Sequence, residues 1–209
     1  VAVELTFGRD DAPPLEVTLD DGRVVLLAGQ ADRVDEVPGG VMVHDYKFSG
    51  PSAHRGLDRP IEAGGDTLAA GQKLQLLTYA EAAAQQRGVS RSSAWYWFLK
   101  PGATGIRIGY EIGPEHRHLF RETLRVLVDG IGAGSYPSRS GGHSWFKGTN
   151  ENCGWCEFDA ICPADREEEW ERVRHAPELA ELARLADEGS PVFLVTAPGG
   201  DRDDEGGDS

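Results

Sequence analysis

Two aspartates and a lysine near the start of the chain have the types and spacing of a hydrolytic metal site. Asp45 and Lys47 lie two positions apart near the end of the strand-like run VMVHDYKFSG, residues 41–50. Side chains alternate faces along a strand, so this carboxylate and this ammonium are predicted to point the same way. Asp32 precedes them in GQADRVDEV, which a Pro-Gly-Gly turn joins to the same run as a neighbouring antiparallel strand.

Two carboxylates that converge beside a lysine repel each other unless a cation lies between them. Hard divalent ions with oxygen ligands, Mg²⁺ above all and Mn²⁺ in its place, suit such a pair and keep water in open positions. A metal of this kind activates water and neutralises charge on a phosphate, while the lysine orients the water or stabilises developing negative charge. Two simpler interpretations remain open, a surface ion pair on an edge strand and turn acids flanking a hairpin.

The next element adds two polar side chains. GQKLQLLTYAEAAAQQRG predicts a helix over about 71–87 that Gly88 ends. Gln75 and Tyr79 are four residues apart and share one face of that helix. Each is a candidate site residue, and a merely polar helix edge is the alternative.

Strands and helices alternate along the rest of the chain. Three or four antiparallel strands are expected through residue 48, with Asp21-Gly22 as a hairpin turn. Two strands and a helix follow the first helix; a charged helix near 164–174 and a short one opened by Pro177 end the pattern. The second helix is expected to bury an apolar stripe, formed by Leu119, Phe120, Leu124, Leu127, Val128 and Ile131.

In this order, GQADRVD, HDYK and QLLTY resemble the G-x-x-D-x-x-D, D-Y-K and Q-x-x-x-Y motifs of RecB-like PD-(D/E)xK nucleases, over about residues 3–162. The resemblance implies an α/β (α+β) restriction-endonuclease-like core, a central mixed sheet flanked by helices. It implies a DNA exonuclease of repair or recombination that uses Mg²⁺ or Mn²⁺. Asp32, Asp45 and the Tyr46 carbonyl would bind the metal, and Lys47, Gln75 and Tyr79 would act in catalysis.

The family often has a His or Glu on a helix ahead of these strands. The chain begins with Val1 inside a strand-like pattern, so we expect a piece of a longer polypeptide that lacks this helix and is a poor nuclease in isolation. Glu4 is a weak substitute for the missing residue. His44 should face away from Asp45 and is expected to pack.

Three cysteines form CGWCEFDAIC, with Cys153, Cys156 and Cys162 inside ten residues. An odd, clustered set favours a metal or redox site over a disulfide framework. Three thiolates are one ligand short of a closed four-ligand site, so iron–sulfur, zinc completed by His143, and a redox pair all stay open.

AddB-type helicase–nuclease proteins are similar in placing C-x₂-C-x₅-C after the nuclease core. The likeness implies a [4Fe–4S] cluster whose fourth cysteine would precede Val1, so we expect the cluster to be absent or incomplete in this chain. Trp155, Phe158 and Ile161 would shield it in the intact protein. Three regions follow: a core over 1–148, the cysteine cluster and next helix over 149–175, and a helix, short strand and acidic tail over 176–209.

Net charge weighs against a general nucleic-acid binder, because the chain contains 35 acidic residues and 21 lysines and arginines. The excess is uneven, since residues 164–209 hold 14 of the acids and five of the basic side chains. No apolar run could span a membrane and no secretion leader is visible, so a cytoplasmic protein is expected. Scattered side chains could contact DNA, chiefly Arg55 and Lys73, with His54, Arg91, Lys100, Arg139 and Lys147 as further candidates.

The resemblance, rather than any basic stripe, makes single-stranded DNA the expected substrate and a helicase domain or subunit the expected partner. The alternative function is a zinc- or iron–sulfur-stapled DNA-binding or interaction module without catalytic activity. It predicts no divalent site between the two aspartates.

Overall fold

A computed structural model describes residues 2–145, 148–154, 156–158 and 161–188. Nine strands and four α-helices are found within this part of the chain. The strands are β1 (Ala2–Phe7), β2 (Leu15–Thr18), β3 (Val24–Leu27), β4 (Gly29–Val37), β5 (Gly40–Lys47), β6 (Arg91–Phe98), β7 (Arg107–Glu111), β8 (His143–Ser144) and β9 (Thr149–Asn150). The helices are α1 (Gln75–Arg87), α2 (Pro114–Gly132), α3 (Arg166–Val173) and α4 (Ala180–Glu188).

A mixed five-stranded sheet in the order β1-β4-β5-β6-β7 is the centre of the fold, as the resemblance implied. β5 and β6 run parallel, and the other neighbouring pairs run antiparallel. The simple meander predicted through residue 48 is wrong in one respect. β2 and β3 form a separate hairpin, and β1 pairs with β4 instead of with β2, because Leu15 and Val17 of β2 are buried in the core with α1.

The parallel pairing of β5 with β6 requires a crossover, and α1 provides it. This helix begins at Gln75, four residues later than predicted, because Ala69, Ala70 and Gly71 have left-handed backbone angles. It ends as expected at Gly88, whose N–H donates to the carbonyls of Ala84 and Gln85 at φ 64°.

One face of the sheet is the core face. The buried side of α1 is rich in alanine, so the helix lies close to β5 and β6. Leu77 has no exposed surface, and Val43 of β5 has none either. Removing such a side chain costs about 2–5 kcal/mol, because a cavity replaces its contacts.

The stripe predicted for α2 is correct at Leu119, Phe120 and Leu124, which are buried, and wrong at Ile131, which is 59% exposed. Next to Ile131, α4 packs against Gly130, and a methyl group on that glycine would lie 2.7 Å from Leu182 Cδ1.

The final helices follow the sequence pattern closely. α3 corresponds to the charged helix expected near 164–174, and Pro177 opens a 3₁₀ turn that leads into α4. The strand and acidic tail predicted after residue 188 lie outside the described residues. Within the described part of the chain, none of the helices combines the length and apolarity needed to cross a membrane.

Candidate active site

β5 brings Asp45 and Lys47 together as its alternation predicts. Lys47 Nζ lies 2.6 Å from Asp45 Oδ1, and the Asp45 side chain is only 5% exposed. The ammonium thus lies directly against a buried carboxylate oxygen. Lys47 is therefore the charge partner of Asp45 among the described residues.

Asp32 reaches the same place from the neighbouring strand. Its Oδ2 accepts a hydrogen bond of 2.8 Å from the backbone N–H of Tyr46, the residue between Asp45 and Lys47. Arg33 and His44 form the last antiparallel pair between β4 and β5, and Asp32 and Asp45 are the next residues on the two strands. Both carboxylates thus lie where the two strands stop pairing.

Burial sets the electrostatics of this cluster. It raises the pKa of Asp45 above its ordinary value; Lys47 opposes that rise, and the charge on Asp32 adds to it. Desolvation therefore outweighs the lysine, and a buried carboxylate beside a second carboxylate is unstable as a bare anion. A bound cation would remove that penalty.

The two carboxylates present fit a divalent metal. The buried carboxylate of Asp45 and the adjacent carboxylate of Asp32 are hard oxygen donors of the kind Mg²⁺ prefers. Among the described residues no three His, Cys, Asp or Glu side chains are grouped to hold a metal ion. Any metal here would therefore take further ligands from the backbone, water or the substrate.

A chain of hydrogen bonds runs from Lys47 into α1. Lys47 Nζ donates to Gln75 Oε1 at 3.0 Å, and Gln75 Nε2 donates to the hydroxyl of Tyr79 at 3.2 Å. The ammonium also lies 5.0 Å from the ring centre of Tyr96, which is buried beneath it. Gln75 and Tyr79, which the sequence places four residues apart on α1, thus position the Lys47 ammonium from one side.

Gly29 is a site residue whose role sequence reasoning missed, although it is the first letter of GQADRVD. Gly29 pairs with Phe7 across β4 and β1. A methyl group on Gly29 would lie 2.7 Å from Phe7 Cζ and 3.3 Å from Tyr79 Cε1. Phe7 and Tyr79 meet edge to face with ring centres 6.0 Å apart, so the absence of a side chain at Gly29 lets these rings support Gln75.

His44 lies on the other face of β5, as expected from its position. It is 3% exposed, its Nε2 lies 3.4 Å from Asp35 Oδ2, and burial lowers its pKa. The Tyr46 side chain also points away from Asp45, since its hydroxyl is 3.5 Å from an Arg33 nitrogen. Glu4, the weak substitute for a missing ligand, is exposed on β1.

The DNA-contact candidates divide into accessible and occupied side chains. Arg55 is exposed, and Lys73 is half-buried at the rim of a pocket beside Gln75. His54, a candidate DNA contact from the sequence, is not accessible to DNA. It is 6% exposed and packs edge-on against Tyr96 with ring centres 4.5 Å apart.

Two further candidates are engaged elsewhere. Arg91 pairs with Glu111 at 3.2 Å, and Arg139 donates to the carbonyl of Ala186. Lys100 is exposed, and Lys147 lies outside the described residues. Among these side chains, Lys73 is the one that lines a pocket together with Gln75, which accepts a hydrogen bond from Lys47.

The three cysteines are free thiols. Cys153 and Cys162 are half-buried and Cys156 is exposed; Cys153 Sγ lies 3.3 Å from an Arg166 nitrogen. His143, the candidate fourth zinc ligand, lies in β8 and contacts the Trp145 ring.

The residues expected to shield a cluster are not buried around the thiols. Phe158 is 66% exposed and Ile161 is 80% exposed, and Trp155 lies outside the described residues.

Comparison with known proteins finds one matching family and two similar curated proteins. The sequence profile described as the PD-(D/E)XK nuclease superfamily matches residues 1–163. Two curated relatives, each named as one of the subunits of an ATP-dependent helicase/deoxyribonuclease, come from Desulfitobacterium hafniense strains DSM 10664 / DCB-2 and Y51 and are 36% identical over 98 residues. The matched part is 44% of this chain and 7% of each relative. No solved structure matches.

Proposed function

Because the chain belongs to the PD-(D/E)XK nuclease superfamily, we propose that it is a divalent-metal-dependent deoxyribonuclease domain that degrades DNA from an end. The relatives' name includes deoxyribonuclease and helicase, and the cluster described above has the donors such chemistry needs. Mg²⁺ is the preferred ion and Mn²⁺ the alternative, because the site offers hard oxygen ligands. The role is in DNA repair or recombination.

One observation supports this proposal most directly. Asp32 and Asp45 converge from adjacent strands, and Lys47 Nζ lies 2.6 Å from Asp45. A surface ion pair accounts for two of these groups, but a second carboxylate beside a 5% exposed one is costly without a cation.

The chain's own residues have separate tasks in this mechanism. Asp32 and Asp45, with the Tyr46 carbonyl, would hold the cation, which would supply charge to polarise the phosphate and to acidify a water molecule. Lys47 faces the reacting phosphate and stabilises the negative charge that develops there. Gln75 holds the Lys47 ammonium in place, and Tyr79 holds Gln75. Hydrolysis forms a bond from the water oxygen to phosphorus and breaks the bond from phosphorus to the leaving sugar oxygen, and one proton of the water ends on that sugar oxygen.

The test is a nuclease assay on the full-length protein with end-labelled single- and double-stranded DNA. Wild type is expected to degrade DNA only with Mg²⁺ or Mn²⁺. Lys47→Ala and Asp45→Asn are expected to lose at least about 100-fold in rate, the scale set by removing one stabilising group. The exposed Asp58 gives a matched control, Asp58→Asn, which should keep full activity.

Full activity in Lys47→Ala would refute the assignment. Metal binding separates the enzyme from a silent interaction module. Mn²⁺ should bind wild type and be lost from the Asp32→Asn/Asp45→Asn variant, whereas a module would show no difference between them.

The partners and the cysteine segment belong to the same proposal. Single-stranded DNA is the proposed substrate, delivered by a helicase domain or subunit, in line with the relatives' name. Cys153, Cys156 and Cys162 would bind a [4Fe–4S] cluster in the intact protein with a fourth ligand from elsewhere. An iron–sulfur absorbance band that is present in the intact protein and lost in Cys156→Ser is the expected result.

A further inference from the structure

A small pocket opens beside the lysine of the candidate site. It has a volume of about 280 Å³ and is lined by Gly71, Gln72, Lys73, Leu74, Gln75 and Tyr96. Two of these residues touch the Lys47 ammonium, since Gln75 accepts its hydrogen bond and the Tyr96 ring centre lies 5.0 Å away. The pocket therefore adjoins the place where a phosphate would react.

The lining of this pocket contains a lysine and no acid. The larger cavity of about 600 Å³ beside α3 and α4 is lined by more acids than basic side chains, namely Glu167, Glu168, Glu171 and Asp187 with Arg139 and Arg174. The net charge of −14 repels a polyanion overall, so a phosphate needs a local cation to bind. An acid-free pocket with a lysine and two amide side chains accepts a phosphate.

The loop that carries Lys73 is held in an unusual conformation. Ala69 and Ala70 have φ angles of 45° and 56°, and Gly71 follows at 80°. The left-handed region costs each alanine roughly 1–2 kcal/mol, so the conformation persists only where other contacts hold it.

Asp66 supplies those contacts. Its Oδ1 accepts from the N–H of Leu68 at 3.0 Å and its Oδ2 from the N–H of Ala70 at 2.7 Å. The turn then closes when the N–H of Lys73 donates to the carbonyl of Leu68, a fully buried residue, at 2.9 Å. The position of Lys73 against the pocket thus depends on the carboxylate of Asp66.

We propose that this pocket binds the phosphate that is adjacent, along the DNA strand, to the phosphate that is cleaved. Lys73 is the cation of this subsite, and Asp66 positions the loop that presents Lys73. This inference rests on the proposed nuclease function and assigns a subsite to it. Lys73 binds substrate and takes no part in the chemical step, which leaves hydrolysis to the Asp45–Lys47 cluster.

The first experiment measures binding without cleavage. A short fluorescent single-stranded oligonucleotide is titrated with the full-length protein in EDTA at several salt concentrations. Lys73→Ala should bind about tenfold more weakly, and its dependence of log affinity on log salt should fall by about 0.7. Arg9→Ala removes one positive charge from an exposed bend outside the pocket, at a position that is not among the DNA-contact candidates, and should do neither.

The second experiment tests Asp66 as a positioning residue. Asp66→Asn should weaken binding about as much as Lys73→Ala, and the double variant should be no weaker than either single one, because both changes remove the same contact. With Mg²⁺ present, both single variants should raise KM several-fold and leave kcat within about twofold. A merely structural role for Asp66 would predict additive losses or a lower kcat.

The outcomes separate this inference from the function on which it rests. Wild-type affinity and salt dependence in Lys73→Ala, or equal losses in Arg9→Ala, would overturn the subsite even if Lys47→Ala is inactive. Undiminished cleavage by Lys47→Ala would overturn the nuclease mechanism, whatever the binding data show. If Asp66→Asn unfolds, Lys73→Gln, a change at a pocket rim, still decides the subsite.

Discussion

Gly29→Ala is the substitution that best tests how the site is supported. Gly29 has no left-handed angle, so the reason for glycine there is space. The added methyl group would lie 2.7 Å from Phe7 Cζ, 3.2 Å from Phe7 Cε1 and 3.3 Å from Tyr79 Cε1. Phe7 has no exposed surface, so its ring cannot swing into solvent, and the conflict must be relieved by shifting the two rings.

Two magnitudes follow. Overpacking of this kind costs about 1–3 kcal/mol in the free energy of unfolding. At roughly 2–4 °C per kcal/mol for a chain of this size, Tm should fall by about 2–12 °C. Tyr79 holds Gln75, which holds Lys47, so a shift of a few tenths of an ångström reaches the ammonium. Since about 1 Å of misplacement can cost about 100-fold, we expect kcat to fall by about tenfold.

The assay pairs thermal unfolding with single-turnover cleavage at a temperature well below both Tm values. Gly132→Ala is the matched control, because nothing lies within 4 Å of the added methyl group at the end of α2. Gly29→Ala/Phe7→Leu removes the closest ring atoms and should regain part of the lost Tm. A Gly29→Ala variant with unchanged Tm and unchanged rate would refute the claim that Phe7 and Tyr79 support the lysine.

Three further predictions concern other contacts. Gln75→Ala removes the hydrogen bond to Lys47 from an exposed side chain; kcat should fall about tenfold while Tm, measured by calorimetry, changes by less than about 2 °C. Burial lowers the pKa of His54 below 6.5 in the folded protein. Below about pH 6.5 the unfolded chain therefore binds more protons than the folded protein, so the free energy of unfolding falls as the pH drops. His54→Phe keeps the ring contacts and should reduce that fall by up to about 1.4 kcal/mol per pH unit in urea titrations; an unchanged slope would contradict it. Leu77→Ala should lower the free energy of unfolding by about 2–5 kcal/mol, and a loss below about 1 kcal/mol in denaturant titrations would show that α1 is not packed as described.

Helix ends and exposure were predictable only where local chemistry decided them. Gly88 ends α1 because glycine adopts the left-handed angle without strain. The start of α1 was not predictable, because Ala69 and Ala70 take that angle against their own preference, under the control of Asp66. Ile131 satisfies the apolar period of α2 and is still exposed, because periodicity does not specify which helix positions a neighbouring element covers.

By itself the sequence determined the relations that depend on near neighbours. Asp45 and Lys47 share a face because strand side chains alternate, and Gln75 and Tyr79 share one because a helix turns every ~3.6 residues. Only the tertiary structure decided which distant parts meet: Asp32 at the backbone of Tyr46, Gln75 at Lys47, and Phe7 over Gly29. Those contacts follow from strand pairing and the packing of α1 on the sheet, which depend on the whole core and on no short stretch of residues.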